Sequence, residues 1–221
     1  MKFNINWPLF KQKWPFLLLI PSLLVNLYFL SLDKSDYSIQ VLEVLDGDTL
    51  LLEQDVRLRL RHVDAPELEY CAGPESQQFL EDLVKGERIV IKEKILDQRG
   101  RALALVYLDG QLINQLVLEA GWGRFHHDTT SVADQLKAVG DQAKESQLGL
   151  YRPECYQSDP PDPDCAIKGN IDPSDSTNKI YHLPDCVHYD TTIVEKDRGE
   201  QWFCTEVEAR SAGYVKSARC P

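Results

Sequence analysis

Apolar and polar residues alternate through the middle of the chain with the two-residue period of half-buried strands. Ile39 to Leu45 and Thr49 to Glu53 read as two strands joined by an Asp46-Gly47 turn. A third run, Val56 to Val63, puts Val56, Leu58 and Leu60 on one face and Arg57, Arg59 and Arg61 on the other. Three arginines on one strand face need anionic company. Gly73-Pro74 then opens a helix reaching Lys85, with Phe79, Leu80, Leu83 and Val84 as its apolar stripe and Gly86 as its stop. Arg88 to Leu96 and Ala102 to Leu108 read as two further strands, the second entering an Asp109-Gly110 turn. Leu112 to Ala120 and Val132 to Gln147 carry helical spacing and stop at Gly121 and before Gly149. Five strands without regular helical crossovers fit a small five-stranded OB-type β-barrel with helices, an α+β arrangement, better than a parallel sheet.

Two stretches break this pattern. Trp14 to Leu32 has no charged residue, is apolar on all faces and follows Lys2, Lys11 and Lys13, which reads as a membrane segment with its N-terminal side in the cytoplasm. No Ala-x-Ala cleavage site follows it, so an uncleaved signal-anchor is favoured over a removed signal peptide, the alternative being secretion after cleavage. Near Tyr156 to Asp164 the chain becomes rich in Asp, Pro and Ser, as a semi-rigid linker is. The expected organisation is an anchor and linker at 1–36, a barrel domain at 37–155, a linker at 156–165 and a small module at 166–221.

At 221 residues there is room for one ordinary domain and a small one. The net charge is −11, divided as +2 over 1–36, −8 over 37–155 and −5 over 156–221. Coating of long nucleic acid draws its affinity from phosphate neutralisation by a basic protein, so that role is excluded. A local contact to one phosphate is not. The six cysteines, Cys71, Cys155, Cys165, Cys186, Cys204 and Cys220, form an even set on the far side of a membrane, where pairing is expected. In the tail, disulfide staples are favoured over a zinc site from Cys186, Cys204, Cys220 and His182 or His188, because so small a unit needs cross-links. Spacing does not give the pairing. His126 and His127, on a loop, read as polar surface.

Candidate chemistry collects where the first three strands end. Asp46, Asp48, Asp64 and Glu67 flank the strand bearing Arg59, with Gly47 and Pro66 as turn residues. Asp-Gly-Asp-Thr, a β-run with an arginine, Val63-Asp64-Ala65-Pro66-Glu67, then Asp97-Gln98-Arg99-Gly100-Arg101-Ala102-Leu103-Ala104, Val106 to Gly110 and Asn114 resemble the thermonuclease (staphylococcal-nuclease-like) family in order and spacing. The resemblance runs from about Tyr37 to Pro153 and implies the OB fold. It also implies a Ca²⁺-dependent endonuclease that cuts DNA, RNA or both to 3′-phosphate ends. Asp48, Asp64 and the main-chain carbonyl near Ala65 would hold Ca²⁺, a hard cation that takes oxygen ligands. Arg59 and Arg101 would grip the phosphate with forked bonds, Glu67 would act as general base on the attacking water, and Asp46 would support the metal ligands. The tail looks like a small module appended to secreted and membrane-bound nucleases, and more distantly like the zinc module of a bacterial methylated-DNA repair protein. It departs from the latter in having Ser217 and a single Cys220 where that module has two cysteines. Nothing asks for an obligate protein partner, and a monomer is expected, held to the bacterial cytoplasmic membrane through residues 14–32 with the catalytic domain outside. The competing reading is an inactive OB-fold module that binds nucleic acid or protein, for which a basic groove with stacking aromatics would be expected.

Overall fold

Strand β1 (Ser38–Val44) turns through Leu45 to Asp48 into β2 (Thr49–Leu52), and a short 3₁₀ turn leads to β3 (Val56–Leu60). In this computed structural model residues 38–221 are described, so the expected membrane segment at 14–32 lies outside the described residues. β1 and β2 pair antiparallel, with a register shift between Val41 and Glu43, and β2 pairs antiparallel with β3, Thr49 lying opposite Arg59. Helix α1 (Gly73–Val84) separates this meander from the hairpin of β5 (Arg88–Leu96) and β6 (Ala102–Leu108). β5 pairs back onto β1, and β6 pairs in parallel with β3, Arg59 opposite Leu103. The order β3-β2-β1-β5-β6 therefore closes on itself through the β3–β6 contact. The expected five-stranded OB-type barrel with helices is what forms, and closure removes the sheet edges that would otherwise be exposed.

Period-2 alternation sends Val41, Leu50, Leu52, Leu58, Leu60, Ala104 and Val106 into the barrel interior. Leu80 and Val84 of α1 are fully buried against them, with Phe79 and Leu83 partly so. The hairpin turn after β6 takes positive φ at both Asp109 (+49°) and Gly110 (+83°), as a two-residue turn matched to strand twist requires, and leads into β7 (Gln111–Leu112). Helix α2 (Ile113–Glu119) ends at Gly121, and α3 (Ala133–Glu145) buries Leu136 and Ala143. Asn114 at the start of α2 is wholly buried. Its Oδ1 accepts from Val106 N (2.9 Å), and its Nδ2 donates to the carbonyls of Arg61 (2.8 Å) and Ala104 (3.1 Å). It thus satisfies backbone groups where the ladders of β3 and β6 part.

One strand expectation is corrected. Val56 to Val63 is not a single strand: it breaks after Leu60, His62 takes φ +64°, and β4 (Val63–Asp64) pairs with β8 (Arg124–Phe125) instead. The break turns Arg61 away from the face of Arg57 and Arg59. Its guanidinium is buried, donating to Asp128 Oδ2 (2.6 Å), Glu93 O (2.7 Å) and Thr129 O (2.8 Å). The anionic company expected for the arginine row therefore comes from two sites, not one.

After α3 the chain forms β9 (Tyr156–Gln157), then β10 (Ile167–Asp172), β11 (Asp175–His182), β12 (Val194–Glu195), β13 (Gln201–Phe203), α4 (Glu206–Ser211) and β14 (Val215–Lys216). Four of these make a sheet in the order β13-β10-β11-β14, and β12 pairs with β9. Its small core is Ile167, Tyr181, Phe203, Ala209 and Tyr214. α4 is closed at its start by a capping box in which Thr205 and Glu208 satisfy each other's backbone N–H. All six cysteines are paired: Cys71–Cys155, Cys165–Cys204 and Cys186–Cys220. Residues 38–221 form one compact unit, and among them no helix is long and apolar enough to cross a membrane.

Candidate active site

The β1–β2 turn carries Asp46, Gly47 and Asp48 against the start of α1. A Cβ on Gly47 would lie 1.9 Å from Ser76 Oγ and 2.7 Å from Ala65 Cβ, so only glycine lets the turn come this close. Ser76 is itself fixed by donating to Trp122 O (2.6 Å). Asp46 Oδ1 accepts the backbone N–H of Asp48 (3.0 Å), shaping the turn as an Asx motif. Asp48 is 1% exposed. Its Oδ1 accepts from the Thr49 hydroxyl (2.9 Å), its Oδ2 from Ala65 N (2.9 Å), and its carbonyl from Leu60 N (2.8 Å).

Arg59, projecting from β3, closes the constellation. Its Nη2 lies 2.7 Å from Asp48 Oδ2 and 2.8 Å from Asp64 Oδ1. One guanidinium nitrogen is thus shared by one carboxylate from the β1–β2 turn and one from β4. Asp48, Arg59, Asp64 and Ala65 are brought together, with Asp46 immediately behind. Glu67 follows two residues past Ala65 on an exposed turn in which Tyr70 N donates to Glu67 O (3.0 Å). Arg101 stands apart from these contacts, just ahead of β6. Its Nε donates to Asp97 Oδ2 (2.7 Å), while Asp97 Oδ1 accepts from the backbone N–H of Arg99 and Arg101. In the β3–β6 register Arg101 falls two residues before Leu103, the partner of Arg59, on the same outward side of the barrel.

Electrostatics mark Asp48 as the unusual member. Burial pushes its carboxyl up to about 8 and Asp46 adds to the push, while Arg59, the Ala65 amide and the Thr49 hydroxyl pull the other way. Burial thus disfavours the charged carboxylate more than its own donors favour it, and a cation bound beside it would favour the ionised form. Two carboxylates sharing one donor beside the Ala65 main chain make a donor set suited to a hard divalent cation.

Two other candidates fall differently. His126 and His127 are exposed on their loop, as expected of polar surface. In the tail, ligand atoms of His182, Cys186 and Cys220 lie within 4.8 Å of one another, and His182 Nδ1 is buried without a hydrogen-bond partner. The two sulfurs are bonded to each other, however, and Cys204 is bonded to Cys165, so disulfides take up the thiolates of the zinc alternative.

Sequence reasoning missed Arg124 and its surroundings. Opposite Asp64 in the β4–β8 pair, Arg124 donates from Nε and Nη2 to the two oxygens of Asp197 (2.8 and 2.9 Å) and from Nη1 to Glu195 Oε1 (3.1 Å). The partners are 73 positions apart, and no local pattern links them.

Residues 57–152 match the family described as "Staphylococcal nuclease homologue". Over 131 residues the chain is 30% identical to "Micrococcal nuclease" of Shigella flexneri, an alignment spanning 53% of this chain and 75% of that protein. It is 33% identical over 118 residues to an "Uncharacterized endonuclease" of Escherichia coli, spanning 51% and 75%. A similarly named protein of Haemophilus influenzae is 29% identical over 143 residues, spanning 61% and 78%. The family match stops at residue 152, ahead of the C-terminal sheet. With a closed five-stranded barrel, paired carboxylates around an arginine and relatives of this identity and coverage, the chain belongs to the staphylococcal nuclease homologues.

Proposed function

We propose that this nuclease is a Ca²⁺-dependent endonuclease that hydrolyses DNA, RNA or both to 3′-phosphate products, with its catalytic unit displayed outside the cytoplasmic membrane. The observation that carries the reading is the convergence of Asp48 and Asp64 on Arg59 beside the Ala65 main chain. Asp48, Asp64 and the Ala65 carbonyl would hold the cation, which when bound supplies charge neutralisation at the phosphate oxygens.

The residues then divide the work. Arg59, held at the edge of the acidic pair, presents a guanidinium that forms forked bonds to phosphate oxygens as charge builds there. Arg101 offers a second fork from the segment ahead of β6, once its bond to Asp97 yields to the stronger demand of the phosphate. Glu67 orients the attacking water and takes its proton. The water oxygen bonds to phosphorus, the bond to the 5′ oxygen breaks, and the phosphate stays on the 3′ side.

The extracytoplasmic placement is supported by the pairing of all six cysteines, which belongs to an oxidising compartment, and by the lysines ahead of the apolar run at 14–32. Residues 38–221 incubated with labelled single-stranded DNA, duplex DNA and RNA, in Ca²⁺ or in chelator, test the activity. Cleavage that needs Ca²⁺ and leaves 3′-phosphate ends is expected. Binding without cleavage, or cleavage indifferent to chelator, would remove the proposal.

A further inference from the structure

The strand carrying Asp64 is only two residues long, and its ladder partner is the equally short β8. Two such strands hold each other weakly, because a hairpin-sized pair has little stability of its own. β8 is held from one side by Phe125, which packs on the barrel core and stacks on His62 at 5.4 Å, and from the other by Arg124. Its guanidinium is forked onto Asp197 (2.8 and 2.9 Å), bonded to Glu195 (3.1 Å), and lies over the rings of Tyr151 (5.3 Å) and Tyr156 (5.9 Å). Asp197 is 4% exposed and the Arg124 side chain 15%, so the pair is shielded from water on the Asp197 side and the geometry of the fork is restrictive.

The turn that follows Glu67 is tied to the same stretch. Cys71 is bonded to Cys155, its backbone N–H approaches Lys196 O (3.4 Å), and Lys196 N donates to Cys155 O (2.8 Å). Gly199, at φ +80°, packs so tightly on Tyr70 that a Cβ would lie 2.8 Å from the ring. Residues 195–199 therefore grip both ends of the stretch from Asp64 to Cys71, which contains the proposed metal ligands Asp64 and Ala65 and the proposed base Glu67.

From this clamp we infer that Asp197, acting through Arg124, is a positioning residue of the hydrolytic site, and that β12 and the turn after it are part of the catalytic scaffold rather than of an appended module. The inference rests on the reading under Proposed function. Asp197 touches neither substrate nor cation; it sets where Asp64 stands relative to Asp48. Its loss loosens one metal ligand and leaves Asp48 in place, so the first effect falls on cation affinity. Partners of this kind behind a metal ligand typically govern about 10- to 100-fold in affinity or activity.

The test is the Ca²⁺ concentration giving half-maximal cleavage, measured on residues 38–221 for Asp197→Asn, Asp197→Glu and Arg124→Lys, alongside melting temperatures in chelator. Asp197→Asn and Arg124→Lys are expected to raise that concentration about 10-fold or more, with kcat at saturating Ca²⁺ reduced less than the affinity. Asp197→Glu, which keeps the charge and the fork, should recover much of the loss. If Asp197→Asn is unfolded at the assay temperature, Arg124→Lys, which keeps the buried positive charge, decides between the same two outcomes. Wild-type protein with Ca²⁺-dependent cleavage, together with folded variants of unchanged Ca²⁺ requirement, would overturn the inference alone. Wild-type protein without Ca²⁺-dependent cleavage would instead overturn the functional reading beneath it.

Discussion

Replacing Asp48 by Asn removes a charge from a position with 1% exposure while keeping an oxygen for the Thr49 hydroxyl or the Ala65 amide. Arg59 loses one ion-pair partner but retains Asp64 at 2.8 Å. The folded protein holds the Asp48 proton up to about 8, against 3.8 for an ordinary aspartate. The folded state thus binds more protons than the unfolded chain between these values, and stability falls as pH rises through that window. Each pH unit of that window is worth ~1.4 kcal/mol, so raising the pH from 3.8 to about 7.5 costs the wild type at most ~5 kcal/mol, of which some 1–3 kcal/mol remains after allowing for the lost bond to Arg59. In chelator at about pH 7.5, Asp48→Asn is therefore expected to melt ~3–10 °C above the wild type, the difference shrinking toward about pH 4. Adding Ca²⁺ should raise the wild-type melting temperature by mass action and leave the variant almost unmoved. Scanning calorimetry across pH, with and without Ca²⁺, reads both effects. A variant less stable than wild type in chelator at neutral pH would refute the reasoning, because the buried charge would then be fully satisfied by its own neighbours.

Arg59→Lys and Arg101→Lys should each lower the cleavage rate ~10²-fold or more, since an ammonium cannot reproduce the fork; single-turnover rates near wild type would take the residue out of the reaction. Reducing Cys71–Cys155, which closes 84 residues, should lower stability by ~4 kcal/mol and depress cleavage with it; a Cys71→Ala/Cys155→Ala double variant melting at the wild-type temperature would contradict this. Arg61 holds the Asp128 carboxyl below the usual aspartate range, so this pair stabilises the fold above that range and the benefit disappears as pH falls through the depressed value. Asp128→Asn should accordingly be destabilised at neutral pH and converge on wild type in acid, measured by thermal melts across pH.

The barrel was legible in the sequence because its strands follow simple alternation and its turns use residues with a stated reason to be there, such as Asp109-Gly110 and Gly47. The same holds for α1, whose bounding Pro74 and Gly86 stand where expected. The break inside Val56 to Val63 was hidden because His62, not a glycine, takes the left-handed conformation. That turn is stabilised by distant partners, Arg61 on Asp128 67 residues away and the His62 ring between His126 O and the Thr130 hydroxyl. The C-terminal sheet was equally opaque, since Asp175 to His182 is mostly exposed along its first half and lacks an apolar face to betray it. Cysteine pairing escaped for a similar reason: spacing permits several connectivities, and only the fold brings Cys165 to Cys204 and Cys186 to Cys220. In the site, Asp48, Asp64 and Arg59 were readable as a motif. The clamp behind them, joining Arg124 to Asp197, was not, because it exists only between segments that meet in three dimensions.

The proposal that Glu67 acts as general base on water attacking a phosphate is most directly tested by the single-turnover rate of Glu67→Gln on a DNA oligonucleotide at saturating Ca²⁺. A fall of ~10²–10⁴-fold, with an unchanged Ca²⁺ requirement and melting temperature, is the expected result. A rate within a few-fold of wild type in folded, Ca²⁺-bound protein would contradict the account.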